Sequence, residues 1–420
     1  MSARSVVARR ILGATACAGL AAGAFASAVH PARSHPGPPP GPPDAEHGSP
    51  WPVASHDVGH SGRSAHAGPT TGMLRWVRRL DGDVTPGPVV GADGTIYLAT
   101  NAGTLHALDP RTGQDRWVVR SGGTTTTDLS SSPAVLDSGV VVWATPSGAV
   151  RGIAPDGRQL WSIDLSAAGT SPAPIGDRLY VMSVDGSLTA IGLTDGGRSA
   201  AVAWTMDLGT TSYSSPAVSP DGLVAVNVDD QAVGVRDQGR HGSVAWRFTL
   251  GALSEISPAI GPGGSVVTGA NDRWIVHLTP EGRLIARYDR ELESYSSPVV
   301  TGEEVVQGNH HAAVVAFDLR AGVRRLRVQR RVDRPGRGVG VWTAPVLDRD
   351  ARIYVGTQSG QIVGWTWTGH RLFAIDAGAA TIDSYPALTA DGALIVGDTD
   401  GIVRAVADDG TLPGSTRPPP

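Results

Sequence analysis

The 420-residue chain contains no lysine; all 35 of its basic residues are arginine. Schiff-base and lysine-nucleophile chemistry are therefore excluded. Cysteine is nearly as scarce. Cys17 is the one cysteine and lies in an N-terminal stretch expected to be removed, which leaves neither a disulfide nor thiol chemistry. Charged residues make up only 18% of the chain and the formal net charge is −4, so there is no global electrostatic case for nucleic acid or an anionic membrane. Beyond the N-terminus no run stays apolar over the roughly 18 residues that a membrane-spanning helix needs. No nucleophile motif, phosphate-binding loop or haem-attachment signature stands out either.

What the chain has in excess is glycine, at 55 residues, and proline, at 31. That is the composition of many short strands joined by tight turns. Residues 1–28 read as a signal peptide: Arg4, Arg9 and Arg10 precede an Ala/Gly/Leu run that ends in Ala26-Ser27-Ala28. Cleavage after Ala28 makes the mature chain extracytoplasmic, secreted or held in the cell envelope. Lipid anchoring at Cys17 is the lesser reading, because the box before it lacks its leading leucine. Residues 29–50 form a Pro-rich, extended linker. Residues 51–72 are a leader segment and 411–420 a disordered tail.

Residues 73–410 are repetitive. A proline recurs at the start of an apolar strand, at Pro88, Pro133, Pro174, Pro216, Pro258, Pro298, Pro345 and Pro386, in steps of 40–47 residues. Each unit continues with a Gly- or Asp-containing turn, a β-branched strand such as "TIYLAT", a second turn and a third strand. A last strand ends in an aromatic residue, Trp117, Trp161, Trp204, Trp246, Tyr288 or Phe373, with Leu326 in unit six. Four strands at this period are the pattern of a propeller blade. The eighth unit lacks its last strand, and a matching "MLRW" with Trp76 precedes the first unit. The expected fold is all-β: an eight-bladed β-propeller of four-stranded blades, its ring closed by the N-terminal strand around Trp76.

The stretch Ala107–Trp117, "ALDPRTGQDRW", carries the spacing A-x-D-x-x-T-G-x-x-x-W. On it, on the eight units and on the leader "WPVASHDVGHSGRS", the chain resembles the pyrroloquinoline-quinone (PQQ) repeat family of eight-bladed propellers, over about residues 51–410. In that family the spacing is a tryptophan-docking motif. The resemblance implies that Ala107, Asp109, Gly113 and Trp117, with Trp161, Trp204 and Trp246, hold blade to blade. The enzymes of the family bind PQQ with Ca²⁺, using Glu, Asn and Asp. This chain shows no stretch in which those three stand like that calcium set, and no mature cysteine pair. It resembles in plan the propeller lipoproteins that help to assemble outer-membrane proteins. The expectation is a non-enzymatic protein- or ligand-binding scaffold at the cell envelope, with no catalytic residue, metal or cofactor. A PQQ-dependent dehydrogenase is the alternative, and an extracellular ligand or carbohydrate sensor a further one.

Three residues before the repeat proline stand Tyr213, Glu255, Tyr295, Trp342 and Asp383, and Tyr385 directly precedes Pro386. Aromatic faces with polar tips around a channel mouth suit a ligand or peptide. A second feature is the basic stretch 320–338, with Arg324, Arg325, Arg327, Arg330 and Arg331. It belongs on the outer strand of blade six and the loop after it, as a solvated edge or as a docking patch for an acidic partner. His310-His311 and the leader's His56, Asp57 and His60 read as turn residues rather than metal ligands. The partners expected are an envelope or secreted protein, or a small ligand at the channel mouth, bound by a monomer and without nucleic acid.

Overall fold

The computed structural model describes residues 48–121, 131–311, 313–320, 324–329, 340–378 and 380–412. Residues 1–47, which hold the expected signal peptide with Cys17 and most of the expected linker, lie outside them, as do Arg330, Arg331 and residues 413–420. Among the described residues no helix is long and apolar enough to cross a membrane.

Eight four-stranded antiparallel sheets make up the fold. Seven take four consecutive strands each, as in blade one: Val89–Val90, Ile96–Thr100, Thr104–Leu108 and Asp115–Arg120. The eighth takes Ala387–Leu388, Leu394–Gly397 and Ile402–Val406 from the C-terminal end and Leu74–Arg79 from the N-terminal end. Trp76 pairs with Ala405 there, so the ring closes as the sequence predicts. Leu74 also exchanges backbone hydrogen bonds with Leu412, at 2.8 and 3.0 Å, which ties residue 412 into the closure. The middle strands of each blade are buried on both faces and read as unbroken apolar runs, whereas the outer strands alternate, as in the exposed–half-buried pattern of Asp115–Arg120.

The docking spacing has a mechanical reason. Ala107 lies opposite Trp117 in the ladder, and the register slips by one residue between Ala107 and Leu108. The same slip follows Gly152 opposite Trp161, Ala190 opposite Trp204 and Gly234 opposite Trp246. A bulge twists the outer strand, and a small residue beneath lets the indole fold across its own blade toward the next. A Cβ on Gly152 would meet the Trp161 ring at 2.2 Å. Each indole nitrogen then donates into the following blade: Trp117 to the Pro155 carbonyl at 2.7 Å, Trp161 to that of Gly197 at 2.8 Å, and Trp246 to that of Pro280 at 2.8 Å. Trp204 donates to the Asp237 carboxylate at 2.8 Å, and the Tyr288 hydroxyl to the Leu319 carbonyl at 3.2 Å.

One expectation needs correction. In blade three the repeat proline is Pro172 and not Pro174. Pro174 sits inside the inner strand Ala173–Ile175, paired with Leu179. An inner strand is the edge of its blade, where a missing N–H breaks no ladder bond, so the second proline is tolerated and mimics the repeat.

The leader is part of the ring. Its carbonyls receive the N–H of the inner strands of successive blades: Trp51 from Val90, Pro52 from Val135, Val58 from Val218, Gly59 from Ile260, His60 from Val300 and Gly62 from Leu347, at 2.7–3.4 Å. Residues 51–62 thus make one circuit of the axis through blades one, two, four, five, six and seven. The circuit is tight enough to put Ser55, His56 and His60 at positive φ, 56°, 83° and 59°. It satisfies N–H groups that edge strands otherwise leave open. Arg63, 1% exposed, fixes the exit by donating to the Thr301 hydroxyl and to the Arg349 carbonyl at 3.0 Å.

Candidate functional site

Each leader contact falls on the last residues of an inner strand, whereas the residues before the repeat proline lie at its start. Inner strands of two or three residues span roughly 7–10 Å. The channel is therefore closed by the leader at one end and opens at the other into a funnel only about that deep.

The funnel has a volume of about 230 Å³, and its lining includes Tyr213, Tyr295, Trp342, Asp383 and Tyr385. Five of the six channel-mouth residues singled out from sequence thus come together. Glu255 is exposed and lies outside the lining, although its charge reaches Tyr295 and helps to raise that phenol's pKa, behind the larger effect of burial. Partial loss of water around its carboxyl, from the protein atoms packed beside it, raises the pKa of Glu255 itself against the smaller pull of Asn271. His310 lies in the turn after the strand Glu304–Gly308, as expected. Its ring packs at a tilt behind the wall, the centroid 4.9 Å from Tyr295 and 5.5 Å from Trp342, while Tyr295 and Trp342 meet edge-on at 4.9 Å. Three mutually packed rings make one rigid aromatic surface. The basic patch is different: Arg324–Gln329 forms the outer strand of blade six, as expected.

The floor was invisible in the sequence as a site. The residue just before the repeat proline is serine in five blades, and these serines form a belt. The Gly87 N–H donates to Ser132 Oγ at 2.8 Å, Ser132 N–H to Ser171 Oγ at 3.1 Å and Ser171 N–H to Ser215 Oγ at 3.3 Å. Ser215 N–H donates to Ser257 Oγ at 2.9 Å and Ser257 N–H to Ser297 Oγ at 3.0 Å. Blade seven has Ala344 at this place and cannot continue the belt. Tyr385 of blade eight packs over the apolar cluster that contains Ala344, and its hydroxyl lies 3.2 Å from Ser297 Oγ, bridging the gap. Tyr385 thus closes the belt as well as lining the funnel. Asp383 is similarly engaged, by the Gln358 amide and by the Thr381 hydroxyl at 3.1 Å.

Below the belt, the His60 Nδ1–H donates to the Pro258 carbonyl at 2.7 Å. Burial lowers the pKa of His60 against the smaller pull of that bond and of Asp57. Asp57 accepts from Gly59 N–H and Ser61 N–H at 2.9 and 3.1 Å and pairs with His56 at 3.2 Å. Burial alone would raise its carboxyl; the bonds from His56 and Ser61 outweigh that and hold its pKa at about 2, against 3.8 for a free side chain. The signs agree. A depressed His favours the neutral folded form, so its contribution is complete above pH 6.5 and falls below it. A depressed Asp contributes fully above about pH 4 and is lost toward pH 2. Thermal stability is expected to fall in two steps on acidification, the first below pH 6.5 and the second between pH 4 and 2. In Asp57→Asn the second step shrinks, as melting curves across pH would show.

The residues present do not fit PQQ. That quinone carries three carboxylates. Among the described residues the funnel lining holds no Arg or His, and its one carboxylate, Asp383, already has partners.

A closed eight-bladed propeller with tryptophan-docked blades and a self-plugged channel defines the class. The family model described as "Outer membrane protein assembly factor BamB" matches residues 103–199 and 197–412, and the chain belongs to that family. Among curated relatives, the BamB proteins of Burkholderia pseudomallei and Vibrio cholerae are 29% identical over 110 residues and 30% over 131. Those alignments cover 26% and 28% of this chain and only 27% and 33% of the relatives, so the chain spans about a quarter to a third of their length. The crystal structure of BamB from Moraxella catarrhalis superposes with a TM-score of 0.61 at 17% identity, over 79% of this chain and 98% of that one. The quinohemoprotein alcohol dehydrogenase of Comamonas testosteroni gives 0.66 at 13% identity, over 88% and 81%. Saccharomyces cerevisiae Sqt1 gives 0.65 at 11% identity, over 80% and 99%. These structural likenesses show the fold alone.

Proposed function

We propose that the chain is an exported, non-enzymatic binding propeller of the cell envelope, which takes its partner or ligand at the blind funnel. The observation that carries this is the leader's circuit of the channel. It turns a passage into a shallow socket with a rigid aromatic wall, a shape suited to holding a protruding group and not to enclosing a cofactor. Membership of the BamB family supports a role beside envelope proteins, since the matched relatives are outer-membrane assembly factors. Export by the N-terminal segment and the limits of the linker and leader are part of the same proposal, with the tail starting after Leu412 rather than at residue 411. So is the basic strand of blade six, as a charged edge beside the docking face.

The test is comparative. Full-length protein and a Tyr295→Ala/Trp342→Ala variant are used to capture components from envelope extract, with titration by PQQ and Ca²⁺ in parallel. Capture lost in the variant, with no dye reduction by the quinone-treated protein, is the expected result. Equal capture by both proteins, or quinone-dependent turnover, overturns the proposal.

A further inference from the structure

The belt has a chemical consequence. Ser132, Ser171, Ser215 and Ser257 each use the hydroxyl oxygen to accept an N–H from the neighbouring blade, and all four line the funnel. A hydroxyl that accepts still has its proton to donate. Among the described residues none of these four protons is taken by another protein group, so each can turn toward an occupant of the funnel, from blades two to five. Facing them across the funnel are Tyr295 and Trp342, with His310 behind.

Charge narrows the occupant. Four hydroxyls left with only their protons to offer disfavour a cation there. Among the described residues an anion meets no cationic side chain in the lining, finds Asp383 inside it and has the exposed Glu255 and Glu293 nearby. An uncharged group rich in oxygen satisfies both conditions: its oxygens accept from the serines, and its apolar face lies on the aromatic wall. The volume of about 230 Å³ is that of roughly eight waters at about 30 Å³ each, enough for one sugar ring.

We infer that the funnel binds an uncharged sugar, the end unit of a glycan, with its ring stacked on Trp342 and Tyr295 and its oxygens on the serine belt. This rests on the funnel being the binding site and adds the class of its ligand. The test is a glycan array probed with labelled full-length protein, followed by saturation-transfer NMR on the best uncharged sugar, with glucuronate and choline as charged controls. Uncharged glycans are expected to bind, with glucuronate and choline at least tenfold weaker. Trp342→Ala is expected to lower sugar binding at least tenfold, and Tyr213→Phe, which removes a single oxygen from the wall, a few-fold. Thermal melts of both variants separate lost binding from lost fold, and Tyr213→Phe preserves the packing if Trp342→Ala does not. Signal from anionic or cationic glycans alone, or none from uncharged ones, overturns the sugar assignment. Extract capture that depends on Trp342 but resists sugar competition leaves the funnel standing and removes only its ligand class.

Discussion

Replacing Trp76 by alanine is expected to lower the unfolding free energy by about 3–5 kcal/mol, the cost of a large-to-small change at a buried aromatic. The effect is large because Trp76 is the joint between the two ends of the chain. It is 5% exposed, and its indole nitrogen donates to the Pro110 carbonyl of blade one at 2.9 Å. Its ring covers Gly113, which holds φ at +68°, and a Cβ there would come within 2.6 Å of the ring. The stretch Ala107–Trp117 therefore serves two joints. Its turn receives Trp76 from blade eight, while its own Trp117 reaches blade two. Trp117 is half-buried, so Trp117→Ala costs less than Trp76→Ala. Trp76→Phe keeps the packing and loses mainly the hydrogen bond, at about 1 kcal/mol. Chemical denaturation of the three variants, with the slope checked for cooperativity, measures the order.

Removing the leader is the second large effect. Deletion of residues 48–68 takes away six carbonyl acceptors from the inner strands, each worth about 1 kcal/mol net. It also takes away Trp51, 1% exposed, and the Arg63 anchor between blades six and seven. The sum is comparable to the whole stability of an ordinary domain. The truncated ring is expected to melt at least about 10 °C lower and to exchange the amide protons of Val90, Val135, Val218, Ile260 and Leu347 rapidly. A synthetic peptide of residues 48–68 added in trans should restore part of both. Unchanged melting would show that the leader only covers the channel.

The ring was legible in the sequence because each blade must repeat the same local solution: an apolar pair at the axis, two buried strands and an aromatic clasp. Even the exchange of the last strand could be read, since one unit lacked what the other end supplied. Pro174 misled because an edge strand accepts an extra proline without penalty. The leader could be seen but not its path, since its contacts are carbonyls, which any residue supplies. The belt escaped for a related reason. "SSP" reads as a turn signal, and only the circular arrangement shows that in five of the eight blades one serine faces its neighbour. Tyr213, Tyr295, Trp342 and Asp383 were legible because residues at one repeat position face one end of the channel, although Glu255 at the same position stays outside the lining. His310, from another loop, had no such periodic mark.

Recognition at the funnel, rather than on the outer strands, is tested most directly by site-specific photo-crosslinking in the native host. A photo-reactive amino acid is placed at Tyr213 in the lining, or at Val202, 48% exposed on the outer strand of blade three. Crosslinked envelope material is then quantified for each. The expected result is adducts at position 213 that vanish with Trp342→Ala, with little at 202. Adducts concentrated at 202 and unaffected by Trp342→Ala would contradict it.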